Sequence, residues 1–181
     1  MRQFRIFYVV FSSVLTAVAF LSFSQINAES QISNDLSSTD EIVSFQPPAG
    51  WKNAEKASLS PSVQALVVGP ATSSIPPSIN LATENYPGTL EEYLKIVRSI
   101  GEKRGSNWKD LGPFDTKAGK GRLTQLDTKT EWGDIRMMHV ILVKNGIVYI
   151  LTAAAMKSEF PTHYKTFFSA LSSLQVEPQP R

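Results

Sequence analysis

The sequence contains no cysteine and only two histidines, and both shortages narrow the chemistry open to this chain. Without cysteine there are no disulfides, no thiol catalysis and no thiolate metal sites. A lipid attached to a cysteine at the amino terminus is excluded as well. His139 and His163 form no His-x-Glu or His-x-x-x-His pattern, so the sequence predicts no metal site and no cofactor. The fold must therefore rely on its hydrophobic core.

Acidic residues are missing from the first 28 positions. Arg2 and Arg5 precede an apolar stretch from Ile6 to Phe23, and the small Ala28 suits the last position before a signal-peptidase cut. We interpret residues 1–28 as a signal peptide that exports the chain, with the bacterial periplasm as the expected destination. The alternative is an uncleaved helix that anchors the domain to the cytoplasmic membrane, because the apolar stretch approaches the length of a membrane span.

No charge of one sign dominates beyond the leader. Removing residues 1–28 takes two of the 18 basic residues, which leaves 16 basic and 16 acidic residues. Such a neutral, mixed surface argues against nucleic acid or an anionic membrane as the principal partner. The remaining length suits one domain with a sizeable core.

The chain after the leader divides into a linker, one domain and a tail. Residues 29–41 are polar and small, which is typical of a flexible linker. The domain is predicted over residues 42–176, and residues 177–181 are predicted to be a frayed tail. A capping box of Thr89 and Glu92 begins the first predicted helix. The predicted helices cover residues 90–104 and 159–174, and the predicted strands outside the main hairpin cover residues 42–46, 63–68, 78–86 and 121–128.

The strongest local signal is a hairpin around Asn145-Gly146, the preferred pair for a type I′ turn. Counting back from the turn pairs Leu142 with Tyr149 and His139 with Thr152. Both faces of this hairpin are apolar, whereas an antiparallel sheet with a solvated face would alternate. We therefore expect two central strands in an antiparallel sheet that is flanked by helices on both faces.

The order of the motifs carries a resemblance to a known family. A Phe-x-x-Pro-x-Gly-Trp motif at residues 45–51 is followed by the middle helix and by the hairpin from Arg136 to Gly146. The last helix ends in Leu-Ser-Ser-Leu at residues 171–174. Over residues 42–176 this order resembles the Mog1/PsbP-like superfamily, specifically its exported bacterial branch of small domains of unassigned function.

The resemblance implies an α+β fold, in which an α/β/α sandwich is built around an antiparallel sheet. It also implies a non-enzymatic protein, because members of the superfamily mostly act as binding or assembly factors. It carries over no site residues, since no binding motif of the family is matched.

Three tryptophans form the candidate protein-contact surface. Trp51, Trp108 and Trp132 fall at the ends of predicted elements, beside glycine, lysine or aspartate. Tryptophan is enriched at protein interfaces, so exposed indoles there would suit a partner. The alternative is that they pack at the rim of the sheet.

Three acidic residues surround the turn that bears Trp132, namely Asp127, Glu131 and Asp134. Their carboxylates would suit acid–base catalysis or the binding of a hard cation. The alternative is that they are solvated at the tip of a hairpin. His139 is expected to be a sheet histidine and His163 to be solvated. No catalytic residue is predicted from these groups.

The leading hypothesis is a non-enzymatic, exported binding or assembly module that acts on an envelope or periplasmic protein. One alternative is a periplasmic carrier of a small apolar ligand, in a pocket lined by Tyr93, Tyr149, Phe167 and Phe168. The other is a weak hydrolase that uses His139 with Asp127 and Asp134.

Overall fold

The computed structural model describes residues 41–73 and 75–178. The predicted leader, the linker up to residue 40 and the last three residues of the chain lie outside the described residues. Within the described part, neither helix is long and apolar enough to cross a membrane.

Nine strands, two α-helices and one short 3₁₀ turn make up the described residues. In chain order they are β1 (Glu41–Ser44), β2 (Lys52–Asn53), the 3₁₀ turn (Lys56–Ser58), β3 (Val63–Val68), β4 (Ser78–Asn85), α1 (Leu90–Lys103), β5 (Asn107–Thr116), β6 (Gly119–Thr130), β7 (Gly133–Lys144), β8 (Ile147–Met156), α2 (Phe160–Ser172) and β9 (Gln175–Pro178). Seven strands form one antiparallel sheet in the order β2-β3-β4-β8-β7-β6-β5, and β1 pairs with β9 in a separate ribbon. The predicted large antiparallel sheet is confirmed.

The helix α1 begins as its sequence predicts. The hydroxyl of Thr89 accepts a hydrogen bond from the amide of Glu92, and the Glu92 carboxylate accepts one from the amide of Thr89. This reciprocal pair satisfies two of the amides that have no partner inside the helix. The apolar stripe of α1 then places Tyr93 and Val97 in the core.

The hairpin of β7 and β8 is also confirmed, because the turn residues fix its register locally. Asn145 and Gly146 adopt φ values of 52° and 75°, as a type I′ turn requires. Leu142 pairs with Tyr149 and His139 with Thr152, as predicted. Both strands lie in the middle of the sheet, and all but the last residue of β8 are buried.

Successive residues of these central strands contact different helices. One cluster joins the sheet to α1 and contains Ala82, Tyr93, Val97, Ile141, Val148 and Ile150. A larger cluster joins the sheet to α2 and includes Met138, Val140, Tyr149, Leu151, Phe160, Phe167 and Leu171. Because neighbouring residues of a strand point to opposite sides, we name these sides the α1 face and the α2 face.

The edge strand β5 is not predicted from the sequence. It contains Gly112 and Pro113, which disfavour a strand in the middle of a sheet but are tolerated at an edge. The register against β6 shifts between Asp110 and Gly112, which marks a β-bulge. Gly112 has a φ of 106°, a conformation that favours glycine.

The two ends of the domain extend further than predicted. Glu177 and Pro178, which the sequence assigns to a frayed tail, belong to β9 and pair with Ile42 and Glu41 of β1. Glu41, assigned to the linker, is held in place because the Tyr149 hydroxyl donates to its carboxylate at 2.6 Å. Main-chain pairing between the two ends orders residues that look unstructured when each is considered alone.

Candidate functional site: a groove beside helix α2

A groove of about 550 Å³ lies on the α2 face, between the start of α2 and strands β5, β6 and β7. It is lined by Leu111, Gln125, Arg136, Met138, Phe160, Pro161, Tyr164 and Lys165. Its volume falls in the range of about 300–1,000 Å³ that is usual for ligand sites. Apolar and basic side chains therefore share one concave surface.

The bulge of β5 supplies one wall of this groove. Asp110 accepts a hydrogen bond from the amide of Gly112 at 3.0 Å and two from Arg122, at 2.7 and 2.6 Å. These contacts fix the residues on either side of Leu111, whose side chain is 45% exposed. The bulge thus presents a large apolar side chain to solvent at the sheet edge.

The first turns of α2 supply the opposite wall. Phe160 is buried, and Pro161 occupies the first turn. Proline is tolerated there because the N–H groups of the first turn have no hydrogen-bond partner inside the helix. One turn later, Tyr164 stacks on Phe168 with ring centroids 4.3 Å apart. Tyr164 nevertheless remains 49% exposed.

Two lining residues of the groove, Arg136 and Gln125, belong to an ion cluster around Asp127. The Nε and Nη2 atoms of Arg136 each donate to Asp127 at 2.8 Å, and the Nζ atom of Lys157 lies 3.1 Å from the same carboxylate. The Nε2 atom of Gln125 also donates to it at 3.1 Å. The hydrogen bonds from Arg136, more than any other contact, lower the pKa of Asp127.

Arg136 is positioned from both sides. Its guanidinium carbon lies 5.8 Å from the centre of the Phe160 ring, which is within the range of a cation–π contact. Asp127, which accepts its two hydrogen bonds, is its cross-strand partner in the β6–β7 register. Arg136 therefore presents a fixed cation to the groove.

His139 lies on the other side of the sheet from this cluster. It shares the α1 face with Thr124, whose hydroxyl lies 3.3 Å from the Nδ1 atom of His139. The ring is 1% exposed, and burial lowers its pKa to about 4. Within the described residues its Nε2 atom has no hydrogen-bond partner.

The hydrolase arrangement of His139 with Asp127 and Asp134 is wrong, because the register places the carboxylates on the opposite face. Asp127 of β6 pairs with Arg136 of β7, and Asp134 of β7 pairs with Lys129 of β6. Arg136 and Asp134 are each an odd number of residues from His139 along β7, so both carboxylates lie on the face opposite His139. Glu131 and Asp134 are exposed at the hairpin tip, as the solvated alternative predicts. Among the residues described, no group of three acidic or histidine side chains is placed to hold a metal ion.

The three tryptophans do not share one surface. Trp51 lies edge-on to Phe167 and His163, with centroid distances of 6.1 and 6.5 Å, and belongs to the α2 face. Trp108 and Trp132 pack on the α1 face, in the cluster built around Leu126 and Met137. All three are partly buried. His163, predicted to be solvated, is also partly buried because Trp51 and Phe167 cover it.

The predicted apolar pocket is wrong for a similar reason. Tyr93 is fully buried on the α1 face, where its hydroxyl donates to Glu84 at 3.2 Å. Tyr149 and Phe167 are buried on the α2 face. Residues on opposite sides of a sheet cannot line one pocket, so these side chains serve as core.

The residues that line the observed groove carry little sequence signal. Leu111 lies in a strand that the pattern does not predict, and Tyr164 looks like one more apolar residue of a helix stripe. One sequence feature could have pointed to the groove. Pro161 marks the start of α2, and Tyr164 and Lys165 follow it within the first turns of that helix.

Comparisons with known proteins identify the fold. A scan against protein-family models and a search of curated proteins each give no match. Solved structures do match. LpqN of Mycobacterium tuberculosis is 14% identical, with a TM-score of 0.55 over 80% of this chain and 88% of that one. PA94 of Pseudomonas aeruginosa is also 14% identical, with a TM-score of 0.51 over 88% of this chain and 95% of that one.

A third match is the cyanobacterial PsbP, CyanoP, of Synechocystis sp. PCC 6803, which is 10% identical with a TM-score of 0.48 over 81% of this chain and 98% of that one. The structural neighbours are consistent with the predicted Mog1/PsbP-like fold. LpqN is described as involved in cell envelope biogenesis, and PA94 as a protein of unknown function. These likenesses concern the fold alone.

Proposed function

We propose that this protein is a non-enzymatic, exported binding or assembly module, and that an envelope protein docks in the groove beside α2. The observation that carries the proposal is the half-exposed pair of Leu111 and Tyr164 on the two walls of that groove. Large exposed apolar side chains in a concave, polar-rimmed surface are typical of interaction sites.

The composition of the groove favours a protein partner. Tyrosine and arginine are enriched among the residues that dominate binding at protein interfaces. Tyr164 and Arg136 both line this groove, and each is held in place by an aromatic neighbour, Phe168 or Phe160. Such fixed anchors lose little conformational entropy when a partner binds.

The placement of the ionisable groups supports a role without catalysis. Nucleophilic catalysis needs a base beside a nucleophile and a group that orients the base. His139 is sealed on the α1 face, whereas the carboxylate of Asp127 is occupied by Arg136 and Lys157 on the other. The side chains of the groove are therefore suited to binding a partner and not to nucleophilic catalysis.

Two further parts of the proposal are export and the arrangement of the layers. The basic, then apolar residues 1–28 support export to the periplasm, and the opposite parity of the strand residues that contact α1 and α2 supports an α/β/α sandwich. Amino-terminal sequencing of the exported product tests the first. A new amino terminus after Ala28 is expected, and an intact Met1 would favour the membrane-anchored alternative.

Site-specific photo-crosslinking in intact cells tests the docking site. A photoreactive phenylalanine analogue replaces Tyr164 or Leu111, and the matched control replaces Lys95, an exposed residue of α1. We expect one discrete product of higher mass from both groove positions and none from Lys95.

A product that forms equally from Lys95, or no product from either groove position, contradicts the docking site. A fourth probe at Trp132 examines the contact surface proposed for the tryptophans of the α1 face. A product from Trp132 alone would move the partner to that face.

A further inference from the structure

We infer that the groove selects an acidic segment of its protein partner, in which an aspartate or glutamate lies next to an apolar side chain. The inference rests on the proposed function and adds the chemistry of the partner. The apolar side chain packs against Tyr164 and Leu111, and the carboxylate binds to the basic side chains beside them.

Positive charge is in local excess at the groove. Arg136 and Lys165 line the groove, and Lys157 lies beside it on the same carboxylate as Arg136. Asp127 is the acidic residue that Arg136 and Lys157 share, and Arg136, Lys157 and Gln125 already occupy its oxygens. Lys165 has no acidic partner in the described ranges, 41–73 and 75–178.

The rest of the chain beyond the leader carries no such excess. Basic and acidic residues balance at 16 each beyond the leader, so the excess belongs to this surface and not to the whole domain. A local excess of one sign selects partners through complementary charge, mainly by speeding encounter and rejecting the wrong sign. The preferred partner surface is therefore negative where it meets Lys165.

The shape of the site favours a protein segment over an anionic membrane. A lipid surface is bound by a broad basic patch, often on an amphipathic helix. Here the apolar residues lie in a groove of about 550 Å³ with the cations on its walls. That arrangement matches individual side chains that enter from a chain lying across the sheet edge.

Peptide selection tests this inference. Random peptides displayed on phage are selected against the purified full-length chain, and the enriched peptides are measured for affinity at low and high salt. We expect aspartate or glutamate beside leucine, phenylalanine, tyrosine or tryptophan, with affinity that falls as salt rises.

Two charge reversals make the result specific. Lys165→Glu is expected to weaken the selected peptides by roughly tenfold, because a like charge then faces the carboxylate. Lys95→Glu changes the net charge equally on α1 and is expected to leave the affinity unchanged. Lysine in place of the acidic residue of the peptide should restore binding to the Lys165→Glu chain.

Three outcomes would overturn the inference. They are enriched peptides without acidic residues, equal weakening by Lys95→Glu, or binding of the chain to phosphatidylglycerol vesicles that Lys165→Glu abolishes while peptides do not compete. If the crosslink from Tyr164 persists in cells while the peptides prove insensitive to Lys165→Glu, the docking site stands and only its acidic selectivity fails. Loss of the crosslink itself would instead contradict the proposed function.

Discussion

The two faces of the sheet bury similar apolar residues but differ in how much of their surface the helices and loops leave accessible to solvent. On the α1 face, α1 and the segment around Ile75 cover a row of buried polar side chains that includes Asn80, His139 and Thr124. On the α2 face, the bulge of β5 and the first turns of α2 leave a groove. The difference shows that the buried histidine and the open groove lie on opposite faces of the sheet.

The comparison also explains why His139 is a poor guide to function. A histidine in an otherwise apolar sheet attracts attention, yet its face is closed and its carboxylate candidates lie on the other side. The more informative residues are the partly exposed aromatic and basic side chains at the edge. Four predictions probe the contrast between the two faces.

The largest expected effect comes from removing core side chains on either face. Ile150 and Leu151 are adjacent in β8, point to opposite faces and are at most 1% exposed. Ile150→Ala and Leu151→Ala should each lower the free energy of unfolding by about 2–5 kcal/mol, because both leave cavities. Chemical denaturation measures this. A cost below about 0.5 kcal/mol for either variant, typical of a surface site, would contradict burial on that face.

The next effect is a pH dependence that originates on the α1 face. The pKa of His139 is about 4 in the folded chain and about 6.5 when unfolded, so the unfolded state binds more protons between these values. Stability should therefore fall by roughly 3 kcal/mol as pH drops from about 6.5 to 4. His139→Gln removes this component.

Denaturation curves at several pH values compare wild type with His139→Gln. Asp127 and Glu41 also have lowered pKa values, but they are present in both proteins and cancel in the difference. Equal pH slopes for the two proteins would show that His139 is not sealed from solvent.

A smaller effect is expected from the ion cluster of the α2 face. Asp127→Asn leaves Arg136 and Lys157 without their shared counter-charge and should cost about 1–3 kcal/mol. Asp110→Asn disrupts the more exposed pair with Arg122 and should cost less than about 1 kcal/mol. Thermal or chemical unfolding of both variants provides the measurement, and the reverse ranking would contradict the structural role of Asp127.

The smallest effect on stability is expected in the groove itself. Tyr164→Ala removes a side chain that is about half exposed, so the free energy of unfolding should change by no more than about 0.5 kcal/mol. Recovery of the partner in a pull-down from cells should nevertheless fall sharply. An unfolding change of several kcal/mol would mean that Tyr164 is core, and unchanged recovery would remove it from the binding surface.

Local signals predict the middle of this fold well. The turn Asn145-Gly146 fixes the pairing of two strands, and the box of Thr89 and Glu92 fixes the start of α1, because each depends on residues close in sequence. The order of motifs adds a resemblance with which the structural neighbours are consistent.

The groove could not be predicted because it depends on contacts distant in sequence. Leu111 is exposed at a bulge whose register is set against β6, and Tyr164 is half exposed in a groove whose other lining residues come from β5, β6, β7 and α2. The carboxylate of Asp127, predicted near a hairpin tip, pairs with Arg136 through the β6–β7 register. The hydrophobic periodicity of a strand or helix does not indicate which face of the sheet edge is left uncovered.

Oxidative footprinting in intact cells tests most directly whether the α2 face, and not the α1 face, meets the partner. Hydroxyl-radical oxidation of each residue is compared between the protein in cells and the purified full-length chain. We expect Tyr164 and Leu111 to be oxidised several-fold less in cells, and the oxidation of Trp108 and Trp132 to be unchanged. Protection of Trp108 and Trp132 with an unchanged groove would contradict this expectation.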